Sequence, residues 1–255
     1  MSIRWYSVVL DCHDIKAQSR WWAEALGWRV VFESDDEVGV VPVHALDETR
    51  DIPVLEQGPG LVFVPVPEAK TGKNRVHLDL ATESAAHQAG EVERLLTLGA
   101  APADISQGDV PWTVLADPEG NEFCVLDPRP VYRDTGPVAA AVADCADPVG
   151  VAGFWALATG WVPASSVADG VSLRSPQGVG PYLELLPSAD ARTGKNRIHL
   201  DVAPYQGEDH ATAVRALIEA GAVPADVGQG DVSWTVLADP EGSEFCVLSP
   251  RGSPR

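Results

Sequence analysis

Apolar and polar residues repeat along the chain with two periods, one typical of strands and one of helices. A β-branched run at residues 7–10 predicts a short strand, and Asp14 behind it is a suitable helix N-cap. Between residues 17 and 25 apolar side chains recur with the 3.6-residue period of a helix, and Gly27 marks its end. Three apolar runs between residues 28 and 66 then read as strands.

The same order follows a second time. Residues 75–82 read as a strand, residues 90–99 as a helix that ends at Gly99, and residues 112–126 as a hairpin. Within the hairpin, the Asp-Pro-Glu-Gly sequence at 117–120 fits a tight turn with proline at its second position. The first 130 residues therefore predict two βαβββ-like modules and an α+β fold.

This whole pattern is duplicated. Residues 107–126 return almost unchanged at 229–248, and residues 71–80 return at 193–202, an offset of 199 − 77 = 122. Such near-identity over a long period indicates a duplicated domain and not a solenoid. We expect two domains, residues 1–130 and 138–255, joined by a Pro-rich linker whose composition favours an extended, semi-rigid chain.

The two copies differ in length at one place. Residues 11–28 match residues 144–161 at an offset of 161 − 28 = 133, so the second copy is 133 − 122 = 11 residues shorter. The extra residues fall in the stretch 43–60, which is rich in Pro, Gly and charge. We expect an exposed loop there, in the first copy only, that lines or covers a pocket.

Composition and charge exclude several classes of protein. The chain has 37 acidic against 18 basic residues, a net charge of −19, and carries no basic run that would attract a nucleic acid. The start lacks a basic and apolar leader pattern, and no apolar run is long enough to span a membrane. The four cysteines have no metal-motif spacing and read as reduced thiols, so we expect a cytoplasmic protein.

The order of elements, with a D…(F/W)W…LGW helix after the first strand and a DPEGNEF hairpin near the end, resembles the vicinal oxygen chelate superfamily and its glyoxalase/bleomycin-resistance group. The resemblance covers nearly the whole chain, once per copy. It implies that each copy is a curved mixed sheet of two βαβββ modules that cups a pocket, with the helices outside. It also implies a small-molecule ligand or substrate.

Metal-using members of that superfamily place His, Glu or Gln ligands on the first and last strands of each module. The matching positions in the first copy hold Ser7, Val62, His77 and Cys124, a poor set for a divalent ion. The second copy holds Ala140, Glu184, His199 and Cys246. The resemblance therefore implies no certain cofactor, and leaves Glu184, His199 and Cys246 as a metal set in the second domain only.

Two His-x-Asp pairs are the candidate catalytic groups. His77 and Asp79 lie two apart on a predicted strand and so share a face, as do His199 and Asp201. A histidine next to a carboxylate can act as a general base. The alternative is that each histidine only links neighbouring strands through hydrogen bonds.

Other polar and aromatic residues of the hairpins are candidates for contact with a ligand. Cys124 shares a face with Glu122, and Cys246 with Glu244; each cysteine is a potential nucleophile or a small buried apolar residue. Trp112 and Trp234 are placed to stack on a planar ligand or to pack in the core.

Two kinds of function follow. The first is a glyoxalase-like enzyme, a lyase, isomerase or cyclising catalyst without the usual complete metal site. The second is a non-catalytic protein that sequesters a drug or metabolite, in the manner of bleomycin-resistance proteins. In both, the partner is a small molecule, and the chain is a monomer or a homodimer.

Overall fold

The computed structural model describes residues 2–46, 58–164, 170–190 and 194–250. Its helices are α1 (Ile15–Leu26), α2 (Ala85–Leu98), α3 (Pro148–Thr159) and α4 (His210–Glu219). Its strands are β1 (Ile3–Cys12), β2 (Arg29–Glu33), β3 (Val38–Val41), β4 (Gly60–Pro65), β5 (Val76–Leu80), β6 (Ala101–Pro102), β7 (Thr113–Ala116), β8 (Glu122–Val125), β9 (Val138–Cys145), β10 (Val162–Pro163), β11 (Val171–Arg174), β12 (Tyr182–Pro187), β13 (Ile198–Pro204), β14 (Val223–Pro224), β15 (Thr235–Ala238) and β16 (Glu244–Val247). No helix among these residues has the length and apolarity needed to cross a membrane.

The first helix begins and ends where the pattern predicts. The Asp14 carboxylate accepts a 2.9 Å hydrogen bond from the Ala17 amide, and Gly27 closes the helix in the left-handed conformation at φ 64°. Helix α2 starts five residues earlier than the apolar periodicity predicts. The Ser84 side chain caps it by accepting a hydrogen bond from the His87 amide, and its first turn is exposed, so it carries none of the buried apolar residues on which the periodicity depends.

Two eight-stranded sheets form, and each combines modules from both copies. Sheet A has the order β14-β15-β16-β13-β1-β4-β3-β2, and sheet B has the order β10-β11-β12-β9-β5-β8-β7-β6. At their centres, β1 pairs antiparallel with β13, and β9 pairs antiparallel with β5. The α+β fold of four βαβββ-like modules in two mixed sheets is confirmed. The modules, however, pair between the copies and not within them.

The segments that join the two modules of each copy hold this crossed arrangement. The Lys73 ammonium pairs with the Asp144 carboxylate at 2.5 Å, at the end of β9 in the other copy. The repeat-equivalent Lys195 pairs with Asp11 at 2.5 Å, at the end of β1. The repeated Thr-Gly-Lys-Asn-Arg motif thus clamps each copy to the first strand of the other, which is a structural role.

Modules of the same copy meet through helices and turns. The Asp117 carboxylate of the first tight turn accepts a 3.0 Å hydrogen bond from the Trp22 indole of α1, and Asp239 accepts one of 3.1 Å from Trp155 of α3. The Glu119 side chain of the same turn accepts hydrogen bonds from backbone amides that precede α1. The near-identity of the two hairpins therefore reflects a shared docking role.

One continuous apolar core lies between the helices and one face of each sheet. Leu78 and Leu80 of β5 point into it, as do Ile198 and Leu200 of β13. Because side chains alternate along a strand, the residues between them point to the opposite face. We call the opposite face of sheet A face A and that of sheet B face B.

Candidate functional site

Face A brings together three side chains from two neighbouring strands. His199 and Asp201 follow each other on β13, and Asp201 lies beside Cys246 of β16 in the parallel register. The His199 Nε2 atom lies 3.7 Å from the Cys246 Sγ atom and 3.7 Å from the Asp201 Oδ1 atom. Ser7 of β1 adds a 3.4 Å hydrogen bond from its Oγ to Asp201 Oδ2. We call His199, Asp201 and Cys246 trio A.

Face B carries the repeat-equivalent group, which we call trio B. His77 and Asp79 lie on β5, and Cys124 lies beside Asp79 on β8. The His77 Nε2 atom is 3.4 Å from the Asp79 Oδ1 atom. In each trio the nitrogen, oxygen and sulfur atoms all lie within 4.8 Å of one another. The structure thus assembles both predicted His-x-Asp pairs, and adds to each the cysteine of the closing strand.

The two histidines differ in their electrostatic surroundings. Burial and, to a lesser extent, the positive charge of Lys195 lower the pKa of His199 to about 3, so its imidazole is neutral. Burial also lowers the pKa of His77, but its hydrogen bond to Asp79 and the charge of that carboxylate outweigh burial and raise it. Burial raises the pKa of the thiol in each trio, which keeps both thiols protonated and speaks against a ready nucleophile.

Face B is filled by the linker between the copies. Residues Pro130–Tyr132 form a short 3-10 turn, in place of the extended connector that composition favours. The Tyr132 ring is buried in a cluster with Cys124, and its hydroxyl donates a 2.8 Å hydrogen bond to Glu184. The Arg129 guanidinium lies over the Trp112 ring at 5.5 Å.

On face A the aromatic side chain of Trp234 remains exposed. Trp234, the equivalent of Trp112, is 39% exposed, and Cys246 is partly exposed whereas Cys124 is buried. The extra stretch of the first copy, residues 43–60, falls largely outside the described residues at 47–57. Its predicted role at a pocket therefore stays a prediction.

Comparisons with known proteins agree with this architecture. The model of the glyoxalase-like domain matches residues 7–126 and again residues 140–248. The chain belongs to the glyoxalase-like domain family. Glyoxalase I from Zea mays is similar over 97% of this chain and 92% of its own, with a TM-score of 0.63 and 15% identity. A putative dioxygenase from Bacillus subtilis is similar over 98% and 86%, with a TM-score of 0.62 and 14% identity. At such identities the likeness shows the fold alone, and no curated protein sequence matches the chain.

The three metal ligands expected in the second domain of this glyoxalase-like protein lie in two different sheets. Glu184 lies on β12 in sheet B, whereas His199 and Cys246 lie in sheet A. The register places Glu184 and His77 on either side of Val142 of β9. The structure therefore does not bring Glu184, His199 and Cys246 together, because β13 pairs with the first strand of the other copy.

The four ligand positions of metal-using superfamily members are poorly filled on both faces. On face A the four positions hold Ser7, Val62, His199 and Cys246, and none of these residues is a carboxylate. Face B has Ala140 and Glu184, and the Glu184 Oε1 atom is already bonded to the Tyr132 hydroxyl. A set of only oxygen and nitrogen ligands therefore does not fit either face.

The trios fit a different kind of ion. Metal–ligand bonds of roughly 2.0–2.3 Å in a tetrahedral zinc site place neighbouring ligand atoms roughly 3.3–3.6 Å apart. The nitrogen–oxygen distances of 3.4 and 3.7 Å in trios B and A lie close to that range.

The glutamates of the closing strands are engaged outside the trios. The Glu122 carboxylate accepts a 2.7 Å hydrogen bond from Lys70 and a 3.2 Å bond from the Asn74 amide. Glu244 accepts one of 3.4 Å from the Asn196 amide. These contacts tie the joining segment of each copy to its closing hairpin, and their predicted role in substrate binding stays a prediction.

A cavity of 840 Å³ opens away from both trios, at the start of β1 and the end of α3. Its lining includes Arg4, Trp161, Gln177, Tyr205 and Glu208. The Arg4 guanidinium lies 4.3 Å from the centre of the Tyr205 ring. No pattern in the sequence pointed to this cavity, because its residues come from four segments far apart in the chain.

Proposed function

We propose that this glyoxalase-like protein binds a small organic molecule on face A and promotes a lyase- or isomerase-type rearrangement of it. The observation that carries the proposal is the difference between two faces with the same trio. Tyr132 and Arg129 occupy face B, whereas the Trp234 indole on face A is 39% exposed beside a partly exposed Cys246. Because the histidine and aspartate side chains are equally buried in the two trios, we infer that a ligand reaches trio A along Trp234 and Cys246, whereas the linker covers that side of trio B.

The groups of trio A suit proton transfer. Rearrangements of this class remove a proton from one atom and return it to another, so they need an acceptor within reach of the substrate. His199 and Asp201 supply a nitrogen and an oxygen acceptor 3.7 Å apart on one strand. Trp234 offers a flat apolar surface against which a planar or aromatic substrate can stack. A divalent ion held by trio A would occupy these two acceptor atoms, and it would then contribute by stabilising negative charge on a substrate oxygen.

The second candidate is binding without chemistry, and the 840 Å³ cavity favours it. Its volume falls within the range of small-molecule sites, and its lining includes the Tyr205 ring with the buried Arg4 guanidinium over it. A protein that sequesters an anionic aromatic compound would use such a cavity and would not need either trio.

A binding screen followed by turnover measurements separates these functions. A panel of small aromatic and carbonyl compounds is screened by isothermal titration, and each compound that binds is incubated with the protein and followed by NMR. For the enzyme, His199→Ala lowers turnover by roughly two to four orders of magnitude. The matched variant His77→Ala, on the covered face, retains turnover within a few-fold.

Two further variants locate the bound compound. Trp234→Ala abolishes binding of a compound held on face A, whereas Gln206→Trp fills the 840 Å³ cavity and abolishes binding there. Turnover that is unchanged in the His199→Ala variant would refute the catalytic proposal. Binding that is lost only in Gln206→Trp, with no turnover in any variant, establishes sequestration instead.

The cellular location, the partners and the oligomeric state of the protein complete the proposal. We propose that it works in the cytoplasm with a small molecule as its partner, without nucleic acid or membrane. The duplication already supplies two paired modules in each sheet, which supports a monomer over the homodimer. Light scattering of the purified chain near 27.0 kDa checks this, and twice that mass contradicts it.

A further inference from the structure

We propose that trios A and B are both three-ligand sites for a borderline-soft divalent cation of the zinc class, so that the chain holds two such ions. The inference goes beyond the proposed function, because it includes the covered face B and requires no substrate.

The first support is the nature of the donor atoms. Each trio offers one imidazole nitrogen, one carboxylate oxygen and one sulfur within 4.8 Å of one another. Zinc binds this mixture of ligands, and three protein ligands leave a fourth position for water or substrate. Hard ions such as magnesium prefer oxygen ligands in octahedral geometry, so the cysteine argues against them.

The second support is the spacing within trio A. The Cys246 Sγ and Asp201 Oδ1 atoms each lie 3.7 Å from the His199 Nε2 atom. A tetrahedral ion with a sulfur ligand at roughly 2.3 Å and a nitrogen ligand at roughly 2.0 Å requires them to be roughly 3.6 Å apart. Little rearrangement is needed to bind the ion.

The third support comes from trio B. The Asp79 side chain is buried, and its Oδ1 atom lies 3.4 Å from the His77 Nε2 atom, close to the separation of two ligand atoms on a tetrahedral zinc ion. A buried carboxylate costs free energy unless a positive charge lies close to it. An ion between these atoms removes that cost.

The fourth support is the contrast with neighbouring positions on the two faces. Ser7 and Val62 of face A correspond to Ala140 and Glu184 of face B, so these positions have diverged between the copies. All three members of the trio are identical in both. The two faces therefore share the donor set although only one of them is open.

Cobalt titration of the full-length, untagged protein tests the inference. The protein is stripped with a chelator, dialysed and titrated with Co²⁺ under reducing conditions, and the thiolate-to-cobalt charge-transfer absorption is recorded. We expect saturation at two ions per chain and displacement of both by Zn²⁺. Cys124→Ser and Cys246→Ser each remove one ion and about half of the absorption, and the double variant removes both.

Matched variants distinguish the loss of a metal ligand from a loss of ion binding caused by misfolding. Cys12 and Cys145 donate from their thiols to backbone carbonyls outside the trios, and a serine can do the same, so Cys12→Ser and Cys145→Ser keep two ions. Glu184→Gln also keeps two. Near-ultraviolet circular dichroism verifies that each variant is folded.

Other outcomes overturn the inference. A wild-type protein that shows no charge-transfer absorption at saturating Co²⁺, or that binds fewer than two ions, contradicts it without any variant. Equal losses in the Cys12→Ser protein would contradict the assignment to the trios. The titration contains no substrate, so its failure leaves the proposed function standing, and a failed turnover screen leaves the two metal sites standing.

Discussion

The Tyr132 hydroxyl donates a 2.8 Å hydrogen bond to the Glu184 Oε1 atom, and this contact joins the linker between the copies to sheet B. The Ser172 hydroxyl lies 3.4 Å from the same oxygen. Tyr132 and Glu184 are 4% and 3% exposed, so each depends on the other to satisfy a buried polar group. The linker is thus an integral part of face B.

Removal of the Tyr132 hydroxyl should destabilise the protein. Tyr132→Phe leaves Glu184 with one weaker partner, and we expect the free energy of unfolding to fall by about 1–3 kcal/mol. Chemical denaturation measures this. Tyr205→Phe is the control, because the Tyr205 hydroxyl makes no hydrogen bond within the described ranges, and its effect should stay within about 0.5 kcal/mol. Equal effects of the two changes would contradict the role of the contact.

The stability of the protein should depend on pH through Glu184. Burial raises the pKa of its carboxyl from 4.5 to about 7, against the opposing hydrogen bond from Tyr132. Above pH 4.5 the unfolded chain releases this proton while the folded chain keeps it, so the contribution of Glu184 to stability falls between about pH 4.5 and 7 and is constant outside that window. The shift corresponds to about 3 kcal/mol.

Glu184→Gln should remove this dependence, because glutamine does not titrate and its amide oxygen still accepts the Tyr132 hydrogen bond. Urea unfolding at pH 4.5 and at pH 7.5 measures it. From pH 4.5 to pH 7.5, the free energy of unfolding of the wild type should fall by up to about 3 kcal/mol more than that of the variant. Parallel pH profiles of the two proteins would refute a raised pKa at this position.

Pairing between the copies should be visible as energetic coupling. Asp11 and Lys195 are in contact although they belong to different copies, so a double-mutant cycle with Asp11→Asn and Lys195→Met should give a coupling of about 1–3 kcal/mol. The cycle of Asp11 with Lys73, which would be its partner within one copy, should give a coupling near zero. The reverse result would show that each copy forms its own sheet.

Reactivity of the cysteines should distinguish the two faces. Cys246 is partly exposed whereas Cys124 is 3% exposed beneath the linker, so a small maleimide should label Cys246 first. Both reactions should be slow at neutral pH, since burial raises the pKa of both thiols. Tyr132→Ala should speed the labelling of Cys124 by at least tenfold without changing Cys246. Mass spectrometry of tryptic peptides reads both sites, and equal labelling in the wild type would argue against a covered face B.

The amino-acid sequence alone determined the local elements and the His-x-Asp pair of each trio. Asp14 and Gly27 delimit α1 because capping depends on residues next to each other in the chain. His-x-Asp at 77–79 and 199–201 places both side chains on one face because strands alternate with a period of two. The glyoxalase-like fold followed from the repeat and its hairpin motif.

Only the tertiary structure decided which modules share a sheet, and hence which side chains meet. β5 and β13 have nearly the same sequence, so either of them suits β1 as an antiparallel neighbour, and local preference cannot choose. The choice rests on where the joining segments lead and on ion pairs such as Lys195 with Asp11, which are 184 positions apart. Because the modules pair between the copies, Glu184 and His199 lie in different sheets, and Tyr132 covers trio B but not trio A.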